Sequence, residues 1–145
     1  MKFTNTITID RPPAEVFGFL ARFENLPLWN YAISDTRNVS GGAVGVGSRY
    51  RQTRTVPTRS EETFEVTEFE RDHRLSIRGA LGPFRSEVTY LLAPAGTGTL
   101  LSNTMNLQPS GVMRLVAPVV ASGIESAVAA NLGVLKQLLE GDRPA

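Results

Sequence analysis

The strongest constraint on the fold is a change in apolar periodicity near residue 110. Before it, short segments of alternating apolar and polar side chains are separated by turn signals, which is typical of antiparallel strands. From Ser110 to about Glu140 the apolar residues recur at helical spacing instead. The stripe consists of Met113, Val116, Val120, Ile124, Val128, Leu132, Leu135 and Leu139. One helix with a single apolar stripe needs one partner surface, and a curved sheet of the preceding strands supplies it.

The N-terminal segment predicts one strand followed by two short helices. Residues from Phe3 to about Asp10 are largely β-branched or aromatic, and the two prolines that follow end the strand. Pro13 can open a first short helix, and a second helical piece follows around Glu24 to Tyr31. With about six further strands, we predict an α+β fold: a curved seven-stranded antiparallel sheet around a long C-terminal helix. Residues 1–145 are expected to form a single domain.

The length of the C-terminal helical segment predicts a break within it. A single helix from Ser110 to Glu140 would reach about 45 Å, which is longer than a domain of this size is wide. Pro118 is therefore expected to interrupt the helix. The tetrad Ser122-Gly123-Ile124-Glu125 has the pattern of a capping box, so the main helix either starts there or carries Ser122 as a small residue within it.

Alternation along the segment from Ser48 to Val56 places polar groups on the inner face of the sheet. If Arg49 and Arg51 face water, the inward residues are Tyr50, Gln52, Arg54 and Val56. A three-residue loop at Thr58 to Ser60 would then pair Arg54 with Phe64, Gln52 with Val66 and Tyr50 with Glu68.

The later strands show the same alternation. In three of them we expect the following residues to face inward: Leu75, Ile77 and Gly79; Phe84, Ser86, Val88, Tyr90 and Leu92; and Leu101, Asn103, Met105 and Leu107. Arg74, Ser76 and Arg78 are expected on the outer face. A hydroxyl, a phenol and an amide therefore lie among apolar neighbours, where each needs a partner.

Composition excludes several classes of function. The chain has no cysteine and one histidine, His73, so disulfides, thiolate metal sites and histidine-built metal sites are ruled out. We expect no cofactor and no metal. A net charge of +1 disfavours a dedicated nucleic-acid binder.

The first residues lack the pattern of a secretory signal, and the apolar stretch from Val112 to Leu135 is interrupted by Arg114, Pro118 and Glu125. A cytoplasmic protein without stable membrane insertion is expected.

Several segments together resemble a known family. They are Ile7-Thr8-Ile9-Asp10-Arg11-Pro12-Pro13-Ala14-Glu15-Val16-Phe17, the single Trp29 after Phe23-Glu24-Asn25-Leu26-Pro27, Val46-Gly47-Ser48-Arg49-Tyr50, Gly96-Thr97-Gly98-Thr99-Leu100-Leu101, and Asn131-Leu132-Gly133-Val134-Leu135-Lys136-Gln137-Leu138-Leu139-Glu140. In this order and spacing they resemble the START-like helix-grip (SRPBCC) superfamily, most closely its polyketide cyclase/dehydrase-like branch. The resemblance spans about residues 2 to 140. It implies a deep cavity between the sheet and the C-terminal helix that takes one hydrophobic small molecule.

The candidate ligand-binding residues combine these inward positions with the helix stripe. They are Trp29, Tyr50, Gln52, Arg54, Phe64, Ser86, Val88, Tyr90, Asn103, Met105, Val120 and Ile124. Trp29 and Asn30 are expected near the cavity mouth, with the indole half-buried. The inward polar groups either pair internally, as Arg54 could with Glu62, or orient the oxygens of a ligand.

The sequence is compatible with three functions. The first is a carrier or sensor of a hydrophobic metabolite such as a lipid, a polyketide or an aromatic-like molecule, acting as a monomer or homodimer. The second is a cofactor-free cyclase or dehydratase, in which Arg54 or Tyr50 polarises a carbonyl and a tyrosine donates a proton. The third is a protein-interaction module, for which the sequence shows no exposed apolar stripe. No catalytic residue can be named.

Overall fold

The computed structural model describes residues 1–82, 84–109, 111 and 113–141, with the backbone alone at Met113. The predicted helix start at Ser110 lies outside these residues. Seven strands, two short helices and one long helix confirm the predicted architecture. In chain order the elements are β1 (Lys2–Ile9), α1 (Pro13–Ala21), a 3-10 turn (Phe23–Asn25), α2 (Leu26–Trp29), β2 (Ile33–Asn38), β3 (Arg49–Arg54), β4 (Ser60–Glu70), β5 (Arg74–Leu81), β6 (Phe84–Ala95), β7 (Gly98–Pro109) and α3 (Met113–Gly141).

The seven strands form one antiparallel sheet in the order β1-β7-β6-β5-β4-β3-β2. Strands β2 to β7 follow one another as a meander, and β1 pairs with β7, so the first strand lies beside the last. The helix α3 packs mainly against β1. This arrangement is the helix-grip fold, in which the inner face of the sheet and α3 enclose the core.

The pairing of β3 with β4 differs from the predicted partners. The ladder joins Tyr50 to Phe64, Gln52 to Glu62 and Arg54 to Ser60. The partners move by an even number of positions, so the inward faces predicted for Tyr50, Gln52 and Arg54 are confirmed. The loop is longer than predicted because the N–H of Thr55 bonds to the carbonyl of Ala32, and Pro57 has no N–H for a ladder. Val56 therefore lies in the loop and is 40% exposed, not inside the sheet.

A bulge in β4 reverses the orientation of Glu68, whose predicted pairing with Tyr50 implied that it faces inward. The register shifts between Val66 and Glu68, so Glu68 faces outward and its carboxylate accepts a bond of 2.7 Å from the Ser76 hydroxyl. Ser76 lies on the predicted outer face, but it is buried there because Glu68 and Thr89 cover it. The inward phases of β6 and β7 are confirmed by burial at every second residue.

The predicted break at Pro118 is wrong, because α3 is continuous from Met113 to Gly141. Pro118 removes one backbone hydrogen bond, to the carbonyl of Arg114, and both residues are exposed at the free end of the helix where water can replace the bond. Ser122 therefore lies within the helix and caps nothing.

The core lies between the inner sheet face, α1 and the C-terminal half of α3. Phe23 packs against Tyr50 and Phe64 with ring centroids 4.9 and 5.2 Å away, and Tyr50 stacks on Phe64 at 5.2 Å. Leu132 and Leu135 bury the helix stripe against the sheet. By length and composition alone, α3 is long and apolar enough to cross a bilayer, but in this fold it is the core helix of the domain.

Candidate functional site

A cavity of about 430 Å³ opens between the middle of α3, residues 120–131, and one end of the sheet. Its walls are formed by α3, the connection from α2 to β2, the end of β3 with the loop that follows it, and adjoining parts of β5, β6 and β7. The lining residues are Asn30, Tyr31, Ala32, Arg54, Val56, Pro57, Leu81, Gly82, Phe84, Met105, Val120, Gly123, Ile124, Ala127, Val128 and Asn131.

The helix and sheet sides of the cavity are mostly apolar. Val120, Ile124 and Val128 follow one another at intervals of one helical turn, so all three point to the same side of α3. Phe84 and Met105 face them from β6 and β7. The apolar stripe predicted from the sequence therefore supplies core residues toward the C-terminal end of α3 and a cavity wall in its middle.

The polar side of the cavity is built around one buried carboxylate. Glu62 accepts hydrogen bonds from Gln52 Nε2 at 2.9 Å, from Arg54 Nε at 2.8 Å and from the backbone N–H of Gly82 at 2.7 Å. The Arg54 side chain is 12% exposed and lines the cavity. Three donors fix the carboxylate, and the carboxylate in turn fixes the guanidinium on the cavity wall. The structure thus shows the Arg54–Glu62 pair that the sequence left as one of two alternatives.

Two asparagines add further polar groups to the wall. Asn131 is buried and faces the cavity from α3, while Asn30 Oδ1 accepts a hydrogen bond of 3.1 Å from the N–H of Ala32. Sequence reasoning named Asn30 at the mouth but missed Asn131, because the apolar stripe was drawn through Leu132. A spacing of seven residues from Ile124 could have identified Asn131 as a residue on the cavity side.

Trp29 lies deeper than expected. It is 5% exposed, so the half-buried placement is wrong, and its ring packs edge-on against Tyr90 with centroids 6.5 Å apart. The cause is the short helix α2, where Leu26 and Trp29 are three residues apart and both face the core. Asn30 and Tyr31, the next residues along the chain, line the cavity instead.

Four of the predicted site residues line this cavity: Arg54, Met105, Val120 and Ile124. Eight others lie outside its lining as the structure describes it: Trp29, Tyr50, Gln52, Phe64, Ser86, Val88, Tyr90 and Asn103. Gln52 holds Glu62, and the Ser86 hydroxyl donates to the carbonyl of Gly79 at 3.1 Å. Tyr50 and Phe64 belong to the aromatic cluster with Phe23, and Val88 packs in the core.

Burial changes the acidity of both interior tyrosines. It raises the pKa of the Tyr90 phenol, and a hydrogen bond with the Asn103 side chain opposes part of that increase. Burial likewise raises the pKa of Tyr50, with a further increase from Glu24. Both phenols are therefore neutral at physiological pH and are poor proton donors.

Other concave surfaces are less suited to an apolar ligand. A groove of about 600 Å³ on the sheet is bordered by charged side chains of the outer face, among them Arg78 and Glu65, whose charged atoms lie 3.6 Å apart. A second groove of about 600 Å³ runs beside α1, with Arg22, Glu24 and Arg71 at its edge. Over the described ranges, no three His, Asp or Glu side chains lie close enough together to hold a metal ion.

Comparison with known proteins gives one family and a set of similar folds. A family model described as polyketide cyclase/dehydrase and lipid transport matches residues 1–140. No curated protein matches the chain. The crystal structure of TTHA0849 from Thermus thermophilus superposes with a TM-score of 0.82 at 19% identity, covering 99% of this chain and 100% of that one.

Two further structures are similar in fold. The di-domain ARO/CYC protein BexL, from the BE-7585A biosynthetic pathway, gives a TM-score of 0.75 at 17% identity, covering 99% of this chain and 51% of BexL. Ara h 8.0201 gives a TM-score of 0.66 at 15% identity, covering 93% of this chain and 97% of that one. Because the family model covers nearly the whole chain, the protein belongs to the polyketide cyclase/dehydrase and lipid transport family of the START-like helix-grip superfamily.

Proposed function

We propose that the protein binds one hydrophobic small molecule, a lipid, a polyketide or an aromatic-like compound, and acts as its carrier or sensor. The observation that supports this most is a cavity of about 430 Å³ whose mostly apolar wall carries one guanidinium held in place by a buried carboxylate. Its volume falls within the range of small-molecule sites, which is roughly 300–1,000 Å³.

The two sides of the cavity suit the two ends of an amphiphilic ligand. An apolar body would lie between Val120 and Ile124 on α3 and Met105 on the sheet. Arg54 binds Glu62 through Nε, so the N–H groups on its terminal nitrogens can donate to a carbonyl or carboxylate of the ligand. Arg54 then performs both roles considered from the sequence, internal pairing and ligand contact.

A cofactor-free cyclase or dehydratase acting in the same cavity is the second candidate. The family description and the fold shared with BexL favour it, and Arg54 could polarise a carbonyl. The raised pKa of Tyr90 argues against this tyrosine as the proton donor, and Tyr90 does not line the cavity as described. We therefore place the carrier or sensor first.

The remaining expectations belong to the same proposal. The protein would act in the cytoplasm as a monomer or homodimer, with residues 1–145 as one domain, and would need no cofactor. It would neither bind nucleic acid nor insert stably into a membrane.

A cavity-filling variant tests the proposal. Ile124→Trp would occupy the space that the ligand needs, whereas Val134→Trp adds the same ring at an exposed position of α3 that does not line the cavity. Native mass spectrometry should detect a retained small molecule in the purified wild type, and anilinonaphthalene sulfonate should bind it with enhanced fluorescence. Ile124→Trp should lose both signals and Val134→Trp should keep them. Equal probe binding by the two variants would contradict the proposal, while turnover of a lysate component would favour the enzyme.

A further inference from the structure

A row of polar side chains crosses the inner face of the sheet where apolar residues are expected. Asn5 on β1 pairs in register with Asn103 on β7, and Asn103 pairs in register with Tyr90 on β6. All three lie on the side of the sheet that faces α3. Polar groups in such positions need hydrogen-bond partners, because burial removes the water that would otherwise satisfy them.

Asn103 is the member of this row whose partners are incomplete. Asn5 donates through Nδ2 to the carbonyl of Glu125 on α3 at 3.3 Å. The side chain of Asn103 contacts Tyr90, but within the described chain its Oδ1 atom has no hydrogen-bond partner, and the residue is only 2% exposed. A buried amide oxygen of this kind lowers stability unless something else donates to it.

The row lies against the inner boundary of the cavity. Met105, which lines the cavity, is the next inward-facing residue after Asn103 on β7, about 7 Å along the strand. On the helix side, the bond from Asn5 to Glu125 fixes the row at the level of Ile124, another lining residue. Met105 is the lining residue of β7 that lies next to Asn103 on the inner face, and its unbranched side chain can adopt other rotamers more easily than a branched one.

We propose that Asn103 and Tyr90 form a hydroxyl-binding site at the inner end of the cavity, reached when the Met105 side chain moves aside, and that the natural ligand carries an alcohol or phenol there. This inference rests on the proposed function, since it concerns the ligand of the same cavity. It adds a second polar contact, distant from Arg54, and so predicts a molecule with a polar group at each end.

The chemistry of the pair favours a hydroxyl over other oxygen groups. The free Oδ1 needs a donor, which a ketone, an ether or a carboxylate does not offer. A hydroxyl also fits the opposite orientation of the amide, because it accepts as well as donates. A charged amine is disfavoured, since no carboxylate belongs to this polar row and burying an unpaired cation is costly.

Two probes of nearly equal size, 2-naphthol and 2-methylnaphthalene, test this site. In a purely apolar cavity the methyl compound binds more tightly, because the hydroxyl loses its bonds to water. Calorimetry on the wild type should instead show 2-naphthol binding at least about threefold tighter. Asn103→Leu, which has a similar volume and no polar atoms, should reverse the preference while keeping affinity for 2-methylnaphthalene. Asn106→Leu, on the outer face of the same strand, should behave as the wild type.

The other possible results of this experiment contradict either the hydroxyl site alone or the proposed function as well. Equal or reversed affinities in the wild type would overturn the hydroxyl site, as would a naphthol preference that survives in Asn103→Leu. A preference lost in Asn131→Leu and kept in Asn103→Leu would place the hydroxyl beside Asn131 on α3 and would also overturn the site at Asn103, while leaving the proposed function intact. If neither probe binds the wild type, the proposed function fails with it. Should Asn103→Leu not fold, Tyr90→Phe must reduce the preference.

Discussion

The two halves of α3 have opposite surroundings. In the C-terminal half, Leu135 is fully buried, the Lys136 ammonium donates to the carbonyl of Thr8, and Glu140 Oε2 accepts from the N–H of Asp10 at 2.6 Å. In the N-terminal half, Leu115 and Val119 are 86% and 78% exposed, Ala117 and Ala121 are buried, and Val120 and Ile124 border the cavity. One helix therefore combines a packed segment with a loosely packed one.

This difference shows how the fold can hold a cavity and remain stable. Apolar side chains that close on one another leave no space for a ligand, so a binding site requires a region where packing stops. Hydrogen bonds to β1 and to the turn after it hold the C-terminal half of α3 against the sheet. The N-terminal half then forms a cavity wall without contributing strongly to stability.

The largest effect should come from truncating the anchored half. Leu135→Ala removes a fully buried side chain and should lower the free energy of unfolding by about 2–5 kcal/mol. Val119→Ala, at the exposed end of the same helix, should change it by less than about 0.5 kcal/mol. Urea denaturation of both variants measures the difference. Similar losses in the two would show that α3 is packed evenly along its length.

Removal of the buried charge tests the network beside the cavity. Glu62→Gln leaves Arg54 without its counter-charge and replaces one acceptor by a donor near Gly82, so the free energy of unfolding should fall by about 2–4 kcal/mol. Glu61→Gln changes the exposed neighbour on the same strand and should have almost no effect. Equal free energies of unfolding for Glu62→Gln and wild type would show that the ionised carboxylate of Glu62 does not stabilise the fold.

A smaller effect, on affinity, separates the two roles of Arg54. Arg54→Met should weaken binding of anilinonaphthalene sulfonate by about 1.5–3 kcal/mol, because a charged hydrogen bond to the sulfonate is lost. It also leaves Glu62 buried without a cation, so its melting temperature should fall. The double variant Arg54→Met with Glu62→Gln carries neither charge and should recover stability while binding stays weak. Recovery of affinity in the double variant would mean that Arg54 acts only through Glu62.

The sequence predicted the sheet better than it predicted the cavity, for a physical reason. Alternation along β3, β6 and β7 fixes which side chains face inward, and that prediction survived even where the partners of Arg54 were wrong. Facing inward does not distinguish a core residue from a lining residue. That distinction depends on where α3 and the loops pack directly against the sheet and where they leave a cavity. Tyr50 and Val88 pack in the core, whereas Met105 borders the cavity, although all three obey the same pattern.

The errors share a cause in local rules that the rest of the fold overrides. Pro118 breaks a helix only where its missing bond cannot be replaced, and the exposed end of α3 is not such a place. Asn131 was overlooked because apolar periodicity ignores polar residues, and polar residues on the inner side of α3 are the ones that a ligand can meet. Trp29 was assigned to the mouth by its neighbours in sequence, but the four-residue helix α2 turns it into the core.

The smallest predicted effect concerns the anchored end of α3 and its dependence on pH. Bonds from Lys136 and from the N–H of Asp10 hold the pKa of Glu140 below its ordinary value of 4.5. Because the folded pKa is the lower one, the unfolded chain binds the proton first, so the carboxylate stabilises the fold above the unfolded pKa and loses this contribution as pH falls through the folded one. Glu140→Gln should therefore cost less than about 1 kcal/mol at pH 7, since the group is partly exposed. The difference in stability between wild type and variant should shrink as the pH falls below 4.5, measured by urea denaturation at pH 7 and at a series of lower pH values. A difference that stays constant over this series would show that the ionised carboxylate does not hold α3 against β1.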